Sequence, residues 1–185
     1  MERSQKTPQG MVDLYNLALT EEEFTRLGGL IYRTCGIKMP HHKKSMLEAR
    51  LRRRLRSLCL HTFAEYCDYL FSHGGMELEL TRMIDVVTTN KTDFFREAAH
   101  FSYLTERALP DLGQRFGVGF DRPLRLWSAG CSTGEEPYTL AMVLSEYGRN
   151  NPGFSFSILA TDISTEVLEK AARGVYAAEK VQPVP

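Results

Sequence analysis

Long apolar runs are missing from these 185 residues. No stretch approaches the roughly 20 consecutive apolar residues that a helical membrane span requires, so no membrane insertion is expected. Met1 to Gly10 is polar and lacks the apolar core of a secretory leader, which predicts a cytoplasmic protein. Cysteine is scarce: Cys35, Cys59, Cys67 and Cys131 form no CxxC pair and match no zinc-ligand spacing. That excludes a disulfide framework and predicts reduced thiols and no metal. The five histidines, His41, His42, His61, His73 and His100, show no pairing that would make a catalytic set. Formal net charge is also absent, so whole-molecule electrostatics select neither nucleic acid nor a membrane surface. There are no internal repeats and no low-complexity tracts, which excludes a solenoid.

The charge that is present is unevenly placed. Ten Lys/Arg fall between Arg26 and Arg56 against one acid, Glu48. This is a local basic surface in a neutral chain, and it points to an acidic partner. Residues 1–12 read as a disordered N-terminus. Thr20-Glu21-Glu22-Glu23 is a capping box that opens a helix through about Cys35, with Phe24, Leu27, Leu30 and Ile31 as its apolar stripe and Gly36 as its stop. Ser45 is expected to cap a second helix carrying Leu47, Leu51, Leu55 and Leu58 on one face. At about 100° per residue, Arg50, Arg53 and Arg56 share a face turned away from those leucines. A third helix is predicted over Thr62–Ser72 and a fourth over Met76–Val87. Together they predict a small helical bundle over residues 13–88.

The character changes at Thr88. Thr92 or Asp93 can cap a helix through about Leu109. Pro110 and the stretch from Gly113 to Pro123 then lead into a strand, Leu124–Ser128. The most informative segment follows: Leu126-Trp127-Ser128-Ala129-Gly130-Cys131-Ser132-Thr133-Gly134-Glu135-Glu136-Pro137-Tyr138. It reads as a strand, a tight glycine turn and a helix N-terminus, the opening unit of a nucleotide-type α/β domain. A glycine lets the backbone press close to a ligand because no Cβ intervenes. Gly130 and Gly134 do not make the dinucleotide fingerprint, and two carboxylates stand where a diphosphate would sit. A ligand without phosphates and carrying positive charge suits the loop better. Phe154–Thr161 is a second strand ending at Asp162, where an acid bonds ribose hydroxyls in such folds. Ser164 caps the helix after it. The competing reading is that the glycines only shape a turn and Asp162 only starts one.

Three ordered segments resemble the CheR-type chemotaxis receptor methyltransferases. They are Thr88-Thr89-Asn90-Lys91-Thr92-Asp93-Phe94-Phe95-Arg96-Glu97, the segment from Trp127 to Tyr138, and Ala160-Thr161-Asp162-Ile163-Ser164. Leu168-Glu169-Lys170-Ala171, Gly174-Val175-Tyr176 and a helical N-terminal domain with a basic second helix also fit. The resemblance implies a small all-α N-terminal bundle, residues 13–88, followed by an incomplete α/β Rossmann-like methyltransferase domain, residues 89–185. It implies S-adenosylmethionine as methyl donor and glutamate side chains of chemoreceptors as acceptors, methylated in chemotaxis adaptation.

In the family pattern Asn90, Thr92, Arg96, Gly130, Glu136 and Asp162 match cofactor-binding positions, with Asp162 on the ribose. Arg96 suits the methionyl carboxylate because its planar fork bonds both oxygens; without the motif it would read as a solvated helix charge. Chemoreceptor methylation regions are acidic helical surfaces, so the resemblance makes Arg50, Arg53 and Arg56 the substrate-recognising face. The bland alternative for that face is solvation, and a second is nucleic acid, which the zero net charge disfavours.

The chain reaches Pro185 without the family's later asparagine-containing motif, its small β-subdomain or the strands that finish the sheet. Two strands alone are expected to leave unpaired edges and an exposed apolar face. The expectation is therefore either a piece of a longer enzyme or a truncated, non-catalytic module that docks on an acidic partner through Arg50, Arg53 and Arg56.

Overall fold

A computed structural model describes residues 17–185, so the expected disorder of residues 1–12 lies outside the described residues. The chain divides into two compact units after Thr88.

The first unit is helical. The capping box closes reciprocally: the Glu23 N–H donates to Thr20 Oγ1 at 3.2 Å, and the Thr20 N–H donates to the Glu23 carboxylate at 2.7 Å. Helix α1 spans Glu21–Cys35 and stops at Gly36, which is left-handed at φ 72°. Ser45 is not a cap. A 3₁₀ turn over His41–Lys43 feeds directly into α2, Lys44–Leu58, and leaves Ser45 inside the first helical turn. Pro40 causes this, because its carbonyl accepts the Lys43 N–H at 2.8 Å and starts the helical path early. Helix α3, Phe63–Phe71, is capped by Thr62, whose hydroxyl accepts from the Glu65 N–H. Helix α4 spans Gly75–Val87.

Periodicity decides what is buried. Leu27 and Ile31 from α1, Leu47, Leu51 and Leu55 from α2, Leu70 from α3 and Met83 from α4 are fully buried in one cluster. One charged pair sits among them. Arg54 donates twice to Glu79, at 2.7 and 2.8 Å, and the Tyr66 hydroxyl donates to the same carboxylate at 3.1 Å. Glu79 has no exposed surface, so all of its compensation for lost water comes from these donors.

The second unit departs from the expected helix over residues 92–109. Lys91–Glu97 is not helical, and Phe95 and Glu97 lie in the left-handed region at φ 53° and 59°. Helix α5 begins only at Ala98 and runs to Tyr103. Nor does Pro110 end the helical path. A π turn over Leu104–Ala108 widens the ladder, and α6, Leu109–Phe116, continues with Pro110 in its first turn. The Leu109 N–H reaches Leu104 five residues back, and the missing proline donor is accommodated there.

Strand β1, Leu124–Ala129, and strand β2, Phe156–Thr161, pair in parallel, Leu124 opposite Phe156 and Trp127 opposite Leu159. Helix α7, Glu135–Asn150, makes the crossover between them. A parallel pair needs such a connection. Helix α8, Thr165–Arg173, follows from the Ser164 cap, and a short α9 covers Ala178–Val181. Leu109, Leu124 and Leu144 form the buried centre, with Leu126, Phe156 and Ile158 packed on it. The other sheet face carries Trp127 and Leu159, 68% and 61% exposed. This is the exposed apolar face that a two-stranded sheet was expected to leave. Among the described residues no helix is long and apolar enough to cross a membrane.

Candidate cofactor site

Strand β1 delivers the chain to Gly130 at the C-terminal edge of the sheet, where ligands of parallel α/β folds bind. The loop hooks at once onto the neighbouring strand: the Gly130 and Cys131 N–H groups both donate to the Thr161 carbonyl, at 2.8 and 2.9 Å. The next residue on that strand, Asp162, completes the hold. One of its oxygens accepts the Ser132 N–H at 2.8 Å, and the other accepts the Ser164 N–H at 2.9 Å. Asp162 therefore fixes the glycine loop and the start of α8 together. A carboxylate offers about four lone-pair sites, so acceptor capacity remains for a ligand hydroxyl.

The two glycines do different work. A Cβ on Gly134 would stand 2.8 Å from the Tyr176 hydroxyl oxygen and 3.0 Å from Ala171 Cβ, so its absence serves packing. Gly130 is left-handed at φ 76°, exposed, and has no atom within 4 Å of where a Cβ would lie. Its bare backbone faces open space.

The two acids also separate. Glu135 is buried, accepts from the Thr133 hydroxyl at 2.6 Å and sits in the first turn of α7, where a carboxylate is favoured. Glu136 is exposed and accepts from Ser128 Oγ at 2.7 Å, which holds it beside the end of β1. Burial, and then the nearby Asp162 charge, push the Cys131 thiol up from its ordinary pKa. It is uncharged at neutral pH and no nucleophile.

Residues 90–97 come to this loop from the start of the unit. The Ser132 hydroxyl donates to the Asn90 carbonyl at 2.9 Å, and the Phe95 N–H donates to Thr139 Oγ1 at 3.2 Å. Phe94 is buried edge-on against the Tyr176 ring, centroids 4.9 Å apart. Lys180 donates to the Thr92 carbonyl at 3.0 Å and to Asp93 at 2.8 Å, and that bond holds the Asp93 carboxyl below its usual range. Arg96 is exposed in the turn, not on a helix, and its guanidinium donates to the Lys91 carbonyl at 3.2 Å.

Asn90 and Asp162 are thus joined through Ser132, with Gly130 on the same loop and Glu136 in the first turn of α7 just after it. Ser132, Thr139, Tyr176 and Lys180 were not legible as site residues. Their partners are chiefly backbone atoms about 40 to 90 residues away, and no local motif announces such a pair. A cavity of about 920 Å³ on the α7 surface is lined by Phe95, Tyr138 and Met142 among others, but by none of the sequence-predicted cofactor residues. The candidate residues lie instead along an open strand-end rim.

Of the three arginines expected to meet the substrate, Arg53 and Arg56 are exposed and Arg50 is half-buried. Arg50 donates to the carbonyls of Val87 and Thr88, at the C-terminal end of α4. Helical geometry separates them: Arg50 lies roughly 100° from the centre of the leucine stripe, Arg53 and Arg56 roughly 140–160°.

Residues 90–185 match the family model described as CheR methyltransferase, SAM binding domain, and residues 22–88 match CheR methyltransferase, all-alpha domain. The chain belongs to the CheR methyltransferase family. The resemblance read from the three segments, and the order of an all-α domain before a Rossmann-like one, are thereby borne out. Chemotaxis protein methyltransferases of Escherichia coli and Borreliella burgdorferi are 44% and 40% identical to it over 168 and 171 residues, 90% and 92% of this chain. Chemotaxis protein methyltransferase 2 of Pseudomonas aeruginosa is 39% identical over 180 residues, 97% of the chain. The chain spans 54%, 60% and 60% of those three relatives' own lengths respectively.

Proposed function

We propose that the protein transfers a methyl group from S-adenosylmethionine to glutamate side chains of chemoreceptors, the adaptation step of chemotaxis signalling, in the cytoplasm. The observation that carries this reading is the meeting of residues 90–97, the glycine loop and Asp162 at one strand-end rim. The residues present fit the cofactor. Gly130 offers backbone that a ligand can touch, Asp162 keeps lone pairs for ribose hydroxyls, and Glu136 supplies negative charge suited to a sulfonium. When bound, S-adenosylmethionine supplies a methyl group already activated on sulfur.

The chain's own part is binding and orientation. Arg96 would hold the methionyl carboxylate, with Asn90 and Thr92 beside it on the same segment. A substrate glutamate, of ordinary pKa near 4.3, is an anion at neutral pH and needs no general base. Rate then comes from in-line positioning and exclusion of water, which accounts for the lack of a catalytic histidine set. Arg53 and Arg56, with Arg50 at their flank, form the face proposed to meet the acidic receptor helices.

The test is S-adenosylhomocysteine affinity by calorimetry in the full-length protein, followed by methyl transfer to a receptor cytoplasmic fragment. Each of Arg96→Ala and Asp162→Ala removes a charge-assisted contact and should weaken binding about tenfold to a hundredfold. Unchanged affinity in both would overturn the site. A protein that binds the receptor fragment but no S-adenosylhomocysteine would be the non-catalytic docking module instead.

A further inference from the structure

Four described residues other than glycine have a left-handed backbone, and three of them, Phe95, Glu97 and Ser132, lie in the candidate cofactor site. Backbone held in this region is strained for L-residues and persists only where the surroundings impose it. At Ser132, φ is 51°, in a loop whose other left-handed positions, Gly130 and Gly134, are glycine. A glycine would relieve the strain there too. What a glycine would lose is the hydroxyl, which is 5% exposed with its residue and donates to the Asn90 carbonyl. The strained segment on the other side of that bond is held a second time, by Thr139. This fully buried residue accepts from the Phe95 N–H and donates to the Glu135 carbonyl at 2.7 Å. Residues 91–97 have no helical or strand ladder of their own, so side-chain bonds stand in for one: Ser132 at Asn90, Thr139 at Phe95 and Lys180 at Thr92.

From this we infer that Ser132 and Thr139 are positioning residues: they set the segment carrying Asn90, Thr92 and Arg96 against the glycine loop and so act on cofactor affinity without touching the cofactor. Ser132 does this from the loop, where its N–H is fixed by Asp162, and Thr139 does it from α7. The Asp162 carboxylate therefore reaches the 90–97 segment through one residue, and the three sequence segments form a single mechanical unit. The inference rests on the reading of this rim as the S-adenosylmethionine site.

The test compares wild type, Ser132→Gly, Ser132→Ala and Thr139→Val as full-length proteins, reading thermal midpoint and S-adenosylhomocysteine Kd on each. Ser132→Gly sheds the left-handed strain but loses the Asn90 bond, two effects that oppose each other, so it should melt close to wild type, yet bind about fivefold to tenfold more weakly, the effect of one lost hydrogen bond. Ser132→Ala should bind as weakly as the glycine variant while melting below it. That divergence of stability from affinity is what a merely structural serine would not produce. Thr139→Val keeps the side-chain shape and should also raise Kd about fivefold or more. If all three variants bind like the wild type, the positioning role is wrong and the cofactor site stands. If wild type itself binds no S-adenosylhomocysteine, both readings fall together.

Discussion

Glu79 and Asp162 are both acids placed by their partners, and the difference between them shows what an individual residue decides here. Asp162 accepts two backbone N–H groups at the rim and stays half-exposed, so it can hold a loop and still meet a ligand. Glu79 has no exposed surface and takes the Arg54 fork and the Tyr66 hydroxyl. Removing one partner of such a pair leaves the other charge buried, whereas replacing both can be nearly neutral. Glu79→Gln should therefore destabilise the helical unit by about 3–5 kcal/mol, and Arg54→Met with Glu79→Leu by clearly less; urea denaturation of the three proteins checks the ordering. Asp162 was legible because it ends a strand before a capped helix. Glu79 was not, because nothing in the run from Met76 to Val87 marks which acid turns inward.

Helix α2 presents two unlike faces. Its leucines build the core of the first unit, and Arg53 and Arg56 project away from them. Arg50, at the flank, is committed to the carbonyls at the end of α4. Charge reversal at Arg53 and Arg56 should therefore weaken binding to an acidic receptor fragment about tenfold or more at low salt, with the loss shrinking as salt is raised. S-adenosylhomocysteine affinity should not change. Surface plasmon resonance across a salt series, with calorimetry for the cofactor, reads both. Other elements were harder to place from sequence. The expected helix over residues 92–109 breaks because residues 91–97 are drawn to the glycine loop by distant hydroxyls, a tertiary effect that overrides local helix signals. The helical path past Pro110 survives because a π turn absorbs the missing donor, and a π turn has no sequence signature.

At the scale of the whole molecule, buried neutral groups set the response to alkali. The Cys67 thiol is pushed up to about 11 by burial, and the Tyr66 phenol is raised well above its ordinary value by burial and by the Glu79 carboxylate. Both groups ionise more easily in the unfolded chain. Stability is thus full below the ordinary thiol pKa, near 9, and is lost as pH rises through about 11, with Tyr66 extending the loss upward. Chemical denaturation between pH 8 and 11 should show a fall on the order of 1–2 kcal/mol from the thiol alone. Cys67→Ala should remove that share and keep the rest.

Composition and periodicity by themselves determined an all-α segment before an α/β one, the leucine stripe of α2, the caps at Thr20 and Ser164, the two strands and the glycine loop between them. These depend on contacts within a few residues, where spacing and side-chain type are enough. The motif segments also carried the family. Only the tertiary structure decided that Gly134 is a packing glycine while Gly130 is bare, that Glu135 is buried while Glu136 is exposed, and that Arg96 sits in a turn. It alone joined residues 90–97 to the loop through Ser132 and Thr139. The packing at Gly134 and the bonds from Ser132 and Thr139 turn on atoms more than 30 residues away, and a chain's own order does not say which distant atoms it will meet.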